Sequence, residues 1–318
     1  MNRRSFSLVL ALTPFMTVAK AQKRPIRLIV PFTPGGSTDV IAREIADAMG
    51  SILGTVIAVE NRPGAGGSIG TAEVARAAPD GATMGLATQS THSVNPVVYK
   101  KLSYDAFNDF SFIGEIAQAP GVMIVNPKLP VTDLAGFIAY ARDHQDELFY
   151  ASPGNGTIGH VWGEQFKRAT NVKMQHVPYS GAAQLLNDML GGLVSATFTT
   201  VTSVLPHIER GKVRALAISW PDRLDILPGV PTYAELGFEQ INKPTWFGLV
   251  APAGLSSEKQ QELQEALSTA LRQPKLQNKY AGQGLFTSRK MGEEFKNTIL
   301  TDFERTRELS RTAQLAID

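Results

Sequence analysis

The chain has 318 residues, of which 43% are hydrophobic and 19% charged, with a formal net charge of +2 and no cysteine. That length allows two domains of ordinary size with ample core. The composition excludes disulfides, thiolate metal sites and cysteine nucleophiles, and the lack of a basic tail or aromatic–basic interleaving argues against a nucleic-acid partner.

The first residues read as an export signal. Arg3 and Arg4 give a positive start, Ser7 to Val18 is an apolar run too short to span a bilayer stably, and Ala19-Lys20-Ala21 is a small-x-small cleavage site. The expectation is cleavage after Ala21 and a periplasmic mature chain. Arg3-Arg4-Ser5-Phe6 faintly resembles a twin-arginine signal, but the ordinary secretory route is preferred. Removing residues 1–21 takes away Arg3, Arg4 and Lys20 and no acids, so the net charge falls from +2 to −1. A near-neutral protein has no strong field to steer a partner, so any anion specificity must be local.

Leu28, Ile29 and Val30 form an apolar run suited to a strand buried on both faces. Pro31, Pro34, Gly35 and Gly36 then forbid regular structure. Ser37, Thr38 and Asp39 are N-cap types, and Val40, Ile41, Ile45, Ala48 and Met49 recur at helical spacing. This strand–glycine turn–helix ends at a helix N-terminus, where unpaired N–H groups and the dipole favour an anion. It has neither the lysine of a phosphate loop nor the G-x-G-x-x-G of a dinucleotide fold. A small-anion cradle, most simply for a carboxylate, stands beside the plain alternative of an ordinary β–α junction.

Thr55 to Val59 reads as a second strand, Asn61 to Ser68 as another glycine-rich turn, Ile69 to Ala78 as a helix and Thr83 to Thr88 as a third strand opening into the polar loop Gln89 to Ser93. In open parallel sheets ligands bind at such carboxyl ends. Phe112 to Ala117 and Gly121 to Val125 follow as strands. A domain crossing is placed after Val125, because Thr132 caps a fresh helix-and-strand series. Leu148 to Ser152, Pro153-Gly154-Asn155-Gly156 and a helix capped by Thr157 repeat the opening motif. Gln175 to Tyr179, Ser180-Gly181 and Ala182 to Leu190 repeat it again. Two cradles, one per domain, suit a ligand gripped from both sides. Val194 to Thr199 is a strand, Leu205 to Arg210 a short helix, Val213 to Ser219 a strand, and Val230 to Phe238 a short helix capped by Thr232. Trp246 to Pro252 is read as the return crossing, Ser257 with Gln260 as a capping box, and Glu258 to Arg272 and Gly292 to Ser310 as packing helices.

Pro31-Phe-Thr-Pro-Gly-Gly-Ser-Thr-Asp39, Glu60-Asn-Arg-Pro-Gly-Ala-Gly-Gly67 and Pro79-Asp-Gly81 resemble motifs of the Bug-type periplasmic receptors of tripartite tricarboxylate transporters. So do Tyr150 to Thr157 with His160, Val177 to Gly181, Gly211 to Ala217, Val230-Pro-Thr232 with Glu235-Leu-Gly237, and Trp246 with Gly248 and Ala251 to Gly254. The resemblance covers nearly all of the mature chain in order. It implies an α/β, two-domain periplasmic-binding-protein (Venus flytrap) fold, each domain a mixed, mostly parallel sheet flanked by helices, with two crossing strands at the hinge. Residues 22–125 plus 246–318 would form domain 1 and 126–245 domain 2.

The resemblance also implies a small organic carboxylate in the cleft, held by backbone N–H groups and ordered waters. Carried over, the first-domain loop is Phe32, Thr33, Pro34, Gly35, Gly36 and Ser37. The neighbouring loop is Thr88, Gln89, Ser90 and Thr91. The second-domain wall is Ser152, Gly154, Gly156, Thr157, Tyr179 and Gly181, with Thr199 and Thr200 at a further strand end. Asp39 is read as a helix-end cap more than a ligand contact. The family often carries Asp-Asn after the residue equivalent to Phe198, with room to meet a ligand amine. Here Thr199-Thr200 stands instead, so the ligand is expected to lack an amino group.

A receptor delivering its solute to integral-membrane permease subunits, transiently and as a monomer, is the expected function, with hinge closure as its mechanism. No cofactor and no metal are expected. A sensor docking to a membrane kinase is the alternative; an enzyme is the weakest reading. The five histidines lack H-E-x-x-H spacing. His160, near the supposed cleft, is read as structural, absent a partner to orient it. There are no paired carboxylates by the glycine turns. Trp162 is read as core packing, Trp246 as packing at the hinge, and Tyr179 as a pocket wall.

Overall fold

A computed structural model describes residues 24–145 and 147–311. Residues 1–21, read as an export signal, lie outside the described residues. The chain opens as β1 (Ile26–Val30), α1 (Ser37–Leu53), β2 (Ile57–Asn61), α2 (Ser68–Ala75) and β3 (Thr83–Thr88). A single π-helical turn at Ser90–Val94 leads to α3 (Asn95–Val98), then β4 (Phe110–Ala119) and β5 (Gly121–Val125). There follow α4 (Leu134–Asp143), β6 (Phe149–Ser152), α5 (Ile158–Thr170), β7 (Gln175–Pro178), α6 (Ala182–Gly191), β8 (Ala196–Thr200), α7 (Val201–Glu209) and β9 (Arg214–Ser219). The chain closes with β10 (Thr245–Pro252), α8 (Ser257–Leu271), α9 (Pro274–Ala281), β11 (Phe286–Thr287) and α10 (Gly292–Ser310).

These elements build two sheets, ordered β11-β4-β10-β3-β1-β2 and β7-β6-β8-β5-β9. β1, β2 and β3 are parallel, β10 runs against β3, and β4 and β11 alternate from there. In the second sheet β6, β7 and β8 are parallel and only β5 runs against its neighbours β8 and β9. Most strands of each sheet therefore share one direction; the reversed strands β10 and β5 enter from the other lobe, and β11 reverses at the edge of the first sheet. The expected two-domain flytrap architecture is what these sheets form.

The strand Gly121–Val125, expected in the first unit, pairs with β8 and β9 in the second sheet. The chain changes sheet at Pro120, between β4 and β5, rather than after Val125. It returns between Ser219 and Thr245. An apolar run shows that a strand is buried without saying against which sheet.

Burial follows the apolar patterns. Leu28, Ile29 and Val30 are at most 1% exposed, and fully burying such a side chain is worth about 1.5–3 kcal/mol. Ile41, Ile45 and Met49 of α1 pack into a core with Leu263 and Leu267 of α8 and Tyr280 of α9. In the second lobe Phe137, Tyr150, Trp162, Phe166 and Phe198 share another core, so Trp162 packs as expected.

Several local expectations differ. α4 is capped by Asp133, which accepts from Gly136 N (2.8 Å), rather than by Thr132, and α7 begins at Val201 rather than Leu205. The polar stretch after β3 is helical, because Thr91 Oγ1 bonds both the carbonyl (3.1 Å) and the amide (3.1 Å) of Thr88 and closes a turn there. Val230 to Phe238 is a turn, not a helix. Its capping box forms, with Glu235 N donating to Thr232 Oγ1 (3.1 Å), but Thr232 also bridges Ile218 of β9 and Gly237, at φ +84°, ends the turn. The α8 cap is Ser256, which accepts from Lys259 N (3.2 Å), one residue before the expected box.

Candidate functional site

The carboxyl ends of β1, β3, β6 and β8 face one cavity of about 80 Å³ between the two sheets. The first lobe contributes Phe32, Thr33, Gly36, Ser37, Thr38, Thr88 and Ser90, with Thr245 and Phe247 from the start of β10. Its opposite wall is Pro153, Thr157, Ile158, Gly159, Gly181, Ala182, Phe198, Thr199, Thr200 and Ser203. β10 belongs here because it is antiparallel, which sets Phe247 beside Thr88.

Four helices begin at this cavity. Gly36, Thr157, Gly181 and Thr200 are the N-cap residues of α1, α5, α6 and α7. The first N–H groups of a helix have no intrahelical acceptor, and each helix start carries partial positive charge. No lining residue bears a formal charge. A site built in this way attracts an anion through dipoles and amide donors alone.

The carboxylate that follows the lining residue Thr38 is engaged elsewhere. Asp39 accepts from Gly35 N (3.1 Å), Asn61 Nδ2 (3.1 Å) and Arg43 Nε and Nη2 (3.0 and 2.9 Å). Burial pushes its carboxyl up, but the bonds from Arg43, Gly35 and Asn61 outweigh that and hold it below the usual carboxylate range. Asp39 thus fixes the turn from within α1. Gly35 sits at φ +89°, a conformation that side chains rarely adopt.

Several amides at the cleft are bonded across it. Ile158 N donates to Ser90 Oγ (2.9 Å) and Ser37 N to Ser203 Oγ (3.2 Å). At the rim Tyr99 Oη donates to the Asn155 carbonyl (3.1 Å). The lobes therefore stand closed against one another.

Of the residues expected at the site, the cavity gathers Phe32, Thr33, Gly36, Ser37, Thr88, Ser90, Thr157, Gly181, Thr199 and Thr200. The others lie behind or beside it. Pro34 and Gly35 are exposed at the outer bend of the turn. Gln89 is buried, and its Oε1 has no protein partner. Thr91 is fully buried, with its hydroxyl committed to Thr88 and to His92 Nδ1 (2.9 Å). Ser152, Gly154 and Gly156 form the turn beneath the second wall. Tyr179 points its hydroxyl at Asp188 Oδ2 (2.8 Å) on α6. Sequence reasoning missed Thr38, Pro153, Ile158, Gly159, Ala182, Phe198, Ser203, Thr245 and Phe247. A signal existed for Thr38, Ile158 and Ala182, which begin helices after glycine turns; Phe247 and Thr245 follow only from strand pairing.

Residues 41–312 match the tripartite tricarboxylate transporter family receptor. The chain belongs to that family. It is a Bug-type receptor, 36% identical over 262 residues to protein BugT of Bordetella pertussis, covering 82% of this chain and 80% of the relative. Among solved structures, an R. palustris protein with adipate is 32% identical at a TM-score of 0.88, covering 91% of this chain and 97% of that one. MatC from Rhodopseudomonas palustris, with bound malate, is 29% identical at a TM-score of 0.86, covering 90% and 99%. In this receptor the four helix starts meet in the cleft between two lobes, and no helix of the described residues is long and apolar enough to cross a membrane.

Proposed function

We propose that this receptor works in the periplasm, closing its two lobes on a small organic carboxylate that lacks an amino group and presenting it to integral-membrane permease subunits. It acts as a monomer that binds and releases its solute without turnover. The observation that carries the reading is the convergence of four helix N-termini on a cavity with no charged side chain. A carboxylate is stabilised by the partial positive charge of those helix starts. An ammonium group would need an anionic partner, and Thr199-Thr200 supplies only hydroxyls. The adipate and malate held by two relatives support a carboxylate here.

The test is thermal unfolding of the chain from Gln22 to Asp318 against C4 dicarboxylates, adipate, citrate, acidic amino acids and aromatic acids. A ligand at about a hundred times its Kd adds roughly 2.7 kcal/mol, a rise of a few degrees in Tm. A non-amino acid is expected to respond. Tighter binding of aspartate or glutamate than of the matched diacids would overturn the ligand class, and silence across the panel from protein shown by mass spectrometry to be ligand-free would overturn the receptor reading.

A further inference from the structure

Beneath the second-lobe turn lie two imidazoles that do not line the cavity. Their rings, from His160 of α5 and His176 of β7, stack at 4.1 Å with planes only 8° apart. Tyr150 of β6 covers the other face of His176 at 4.8 Å and donates its hydroxyl to Glu164 Oε1 (2.6 Å). We propose that the stacked His160–His176 pair positions the Ser152–Thr157 turn, and with it the start of α5, in the geometry that receives the ligand. This rests on the receptor reading above.

One nitrogen of each ring is spent on that turn. Ser152 is fully buried, and its hydroxyl lies 2.7 Å from His176 Nε2. The same oxygen donates to the Gly154 carbonyl (3.0 Å) and accepts from Gly154 N (3.3 Å). With its one proton given to Gly154, it receives another from Nε2, which fixes the tautomer of His176. His160 Nδ1 accepts from Gly156 N (3.4 Å). Plain core filling would use apolar rings and leave the Gly156 amide unpaired, at a cost. The turn needs the support, because Gly154 and Gly156 sit at φ +139° and +72° and glycine by itself restrains little. Gly156 also packs against Asn95 and Tyr99 of the facing lobe, where an added Cβ would lie 2.8 Å from each. A shift in the turn therefore moves a surface on which the lobes meet.

Both rings are neutral. Burial, with His160 and Lys167 adding repulsion, drives His176 down to about 3. Burial and Lys167 lower His160 against the opposing pull of Glu164. The charged and titratable groups facing the pair are Tyr150 from β6 and Glu164 and Lys167 from α5. The pair is a fixed support through the neutral range rather than a switch.

Two readouts test this. The first is amide hydrogen exchange in the ligand-free protein, which does not depend on the carboxylate reading. In His176→Phe, His160→Phe and Ser152→Ala, exchange at Gly154 and Gly156 should rise about tenfold or more while β8 amides keep their wild-type rates. His160→Asn, which keeps an acceptor, should restore protection. The second readout is affinity for adipate or malate, whichever binds the wild type. It should fall roughly tenfold in the first three variants and stay flat in the wild type between about pH 8 and pH 5. Unchanged exchange at the two glycines, a rise shared equally by β8, or equal affinity in all variants overturns the proposal. A local rise in exchange with no carboxylate binding the wild type supports the support role and sinks the receptor reading instead.

Discussion

A single missing Cβ decides how closely the two lobes approach. Gly181, the N-cap of α6, faces Thr33 of the first lobe so tightly that a Cβ there would collide with the threonine side chain. Its backbone is extended, at φ 163° and ψ 176°, so alanine is tolerated locally and the conflict arises only when the lobes meet. Gly181→Ala should therefore leave the Tm of the free protein within about 1 °C of wild type. Affinity should fall about tenfold, equivalent to roughly 1.4 kcal/mol, if the lobes close on the ligand as proposed. Thr33→Ala in the same chain should recover most of the loss. Unchanged affinity by titration calorimetry would show that Thr33 yields freely. Gly181 was legible in the sequence as the last residue of a turn; that its partner is Thr33, 148 positions away, was not.

Among the elements, β10 does two jobs. Its first residues enter the cavity, and its middle carries the packing of α10. Phe295, fully buried on α10, lies directly over Gly248 and makes an edge contact with Trp246 at 5.2 Å. Trp246 in turn donates Nε1 to Asp302 Oδ2 (2.8 Å), which ties the strand to the same helix. Gly248→Ala forces a methyl into the Phe295 ring, and overpacking of this kind costs about 1–3 kcal/mol. Urea denaturation should show that loss, and adding Phe295→Leu should return part of it, a coupling expected of residues in contact. Independent, additive effects of the two substitutions would sink the pairing. The helical spacing of α10 identified its packing role from sequence. The glycine under its aromatic ring carried no such signal, because a strand glycine reads equally as a bulge.

For the molecule as a whole, the cleft joins two lobes through amides and hydroxyls, while Trp220 and Phe286 stack between the sheets at 4.2 Å near the crossings. Since no charged side chain lines the cavity, a carboxylate bound as proposed would rest on local dipoles, which salt screens little. Affinity for the responding carboxylate should change by less than about twofold between roughly 50 and 500 mM sodium chloride. A fall of about tenfold would mean that a charged side chain beyond the cavity wall holds the ligand.

The sequence by itself determined the elements and the chemistry of their junctions. Apolar runs, glycine turns and helix caps act within a few residues, so β1 with α1, β6 with α5 and β7 with α6 were readable as cradles. Their lack of a lysine or arginine already pointed to dipole binding. Only the tertiary structure decided which residues of each turn face the cavity. Thr33 and Gly36 do so, whereas Pro34 and Gly35 point to solvent, because one bend exposes successive residues to opposite sides. It also assigned β5 to the second sheet, brought Phe247 and Ser203 to the site, and set His160 against His176. Strand pairing and ring stacking join residues far apart along the chain, and no local pattern encodes them.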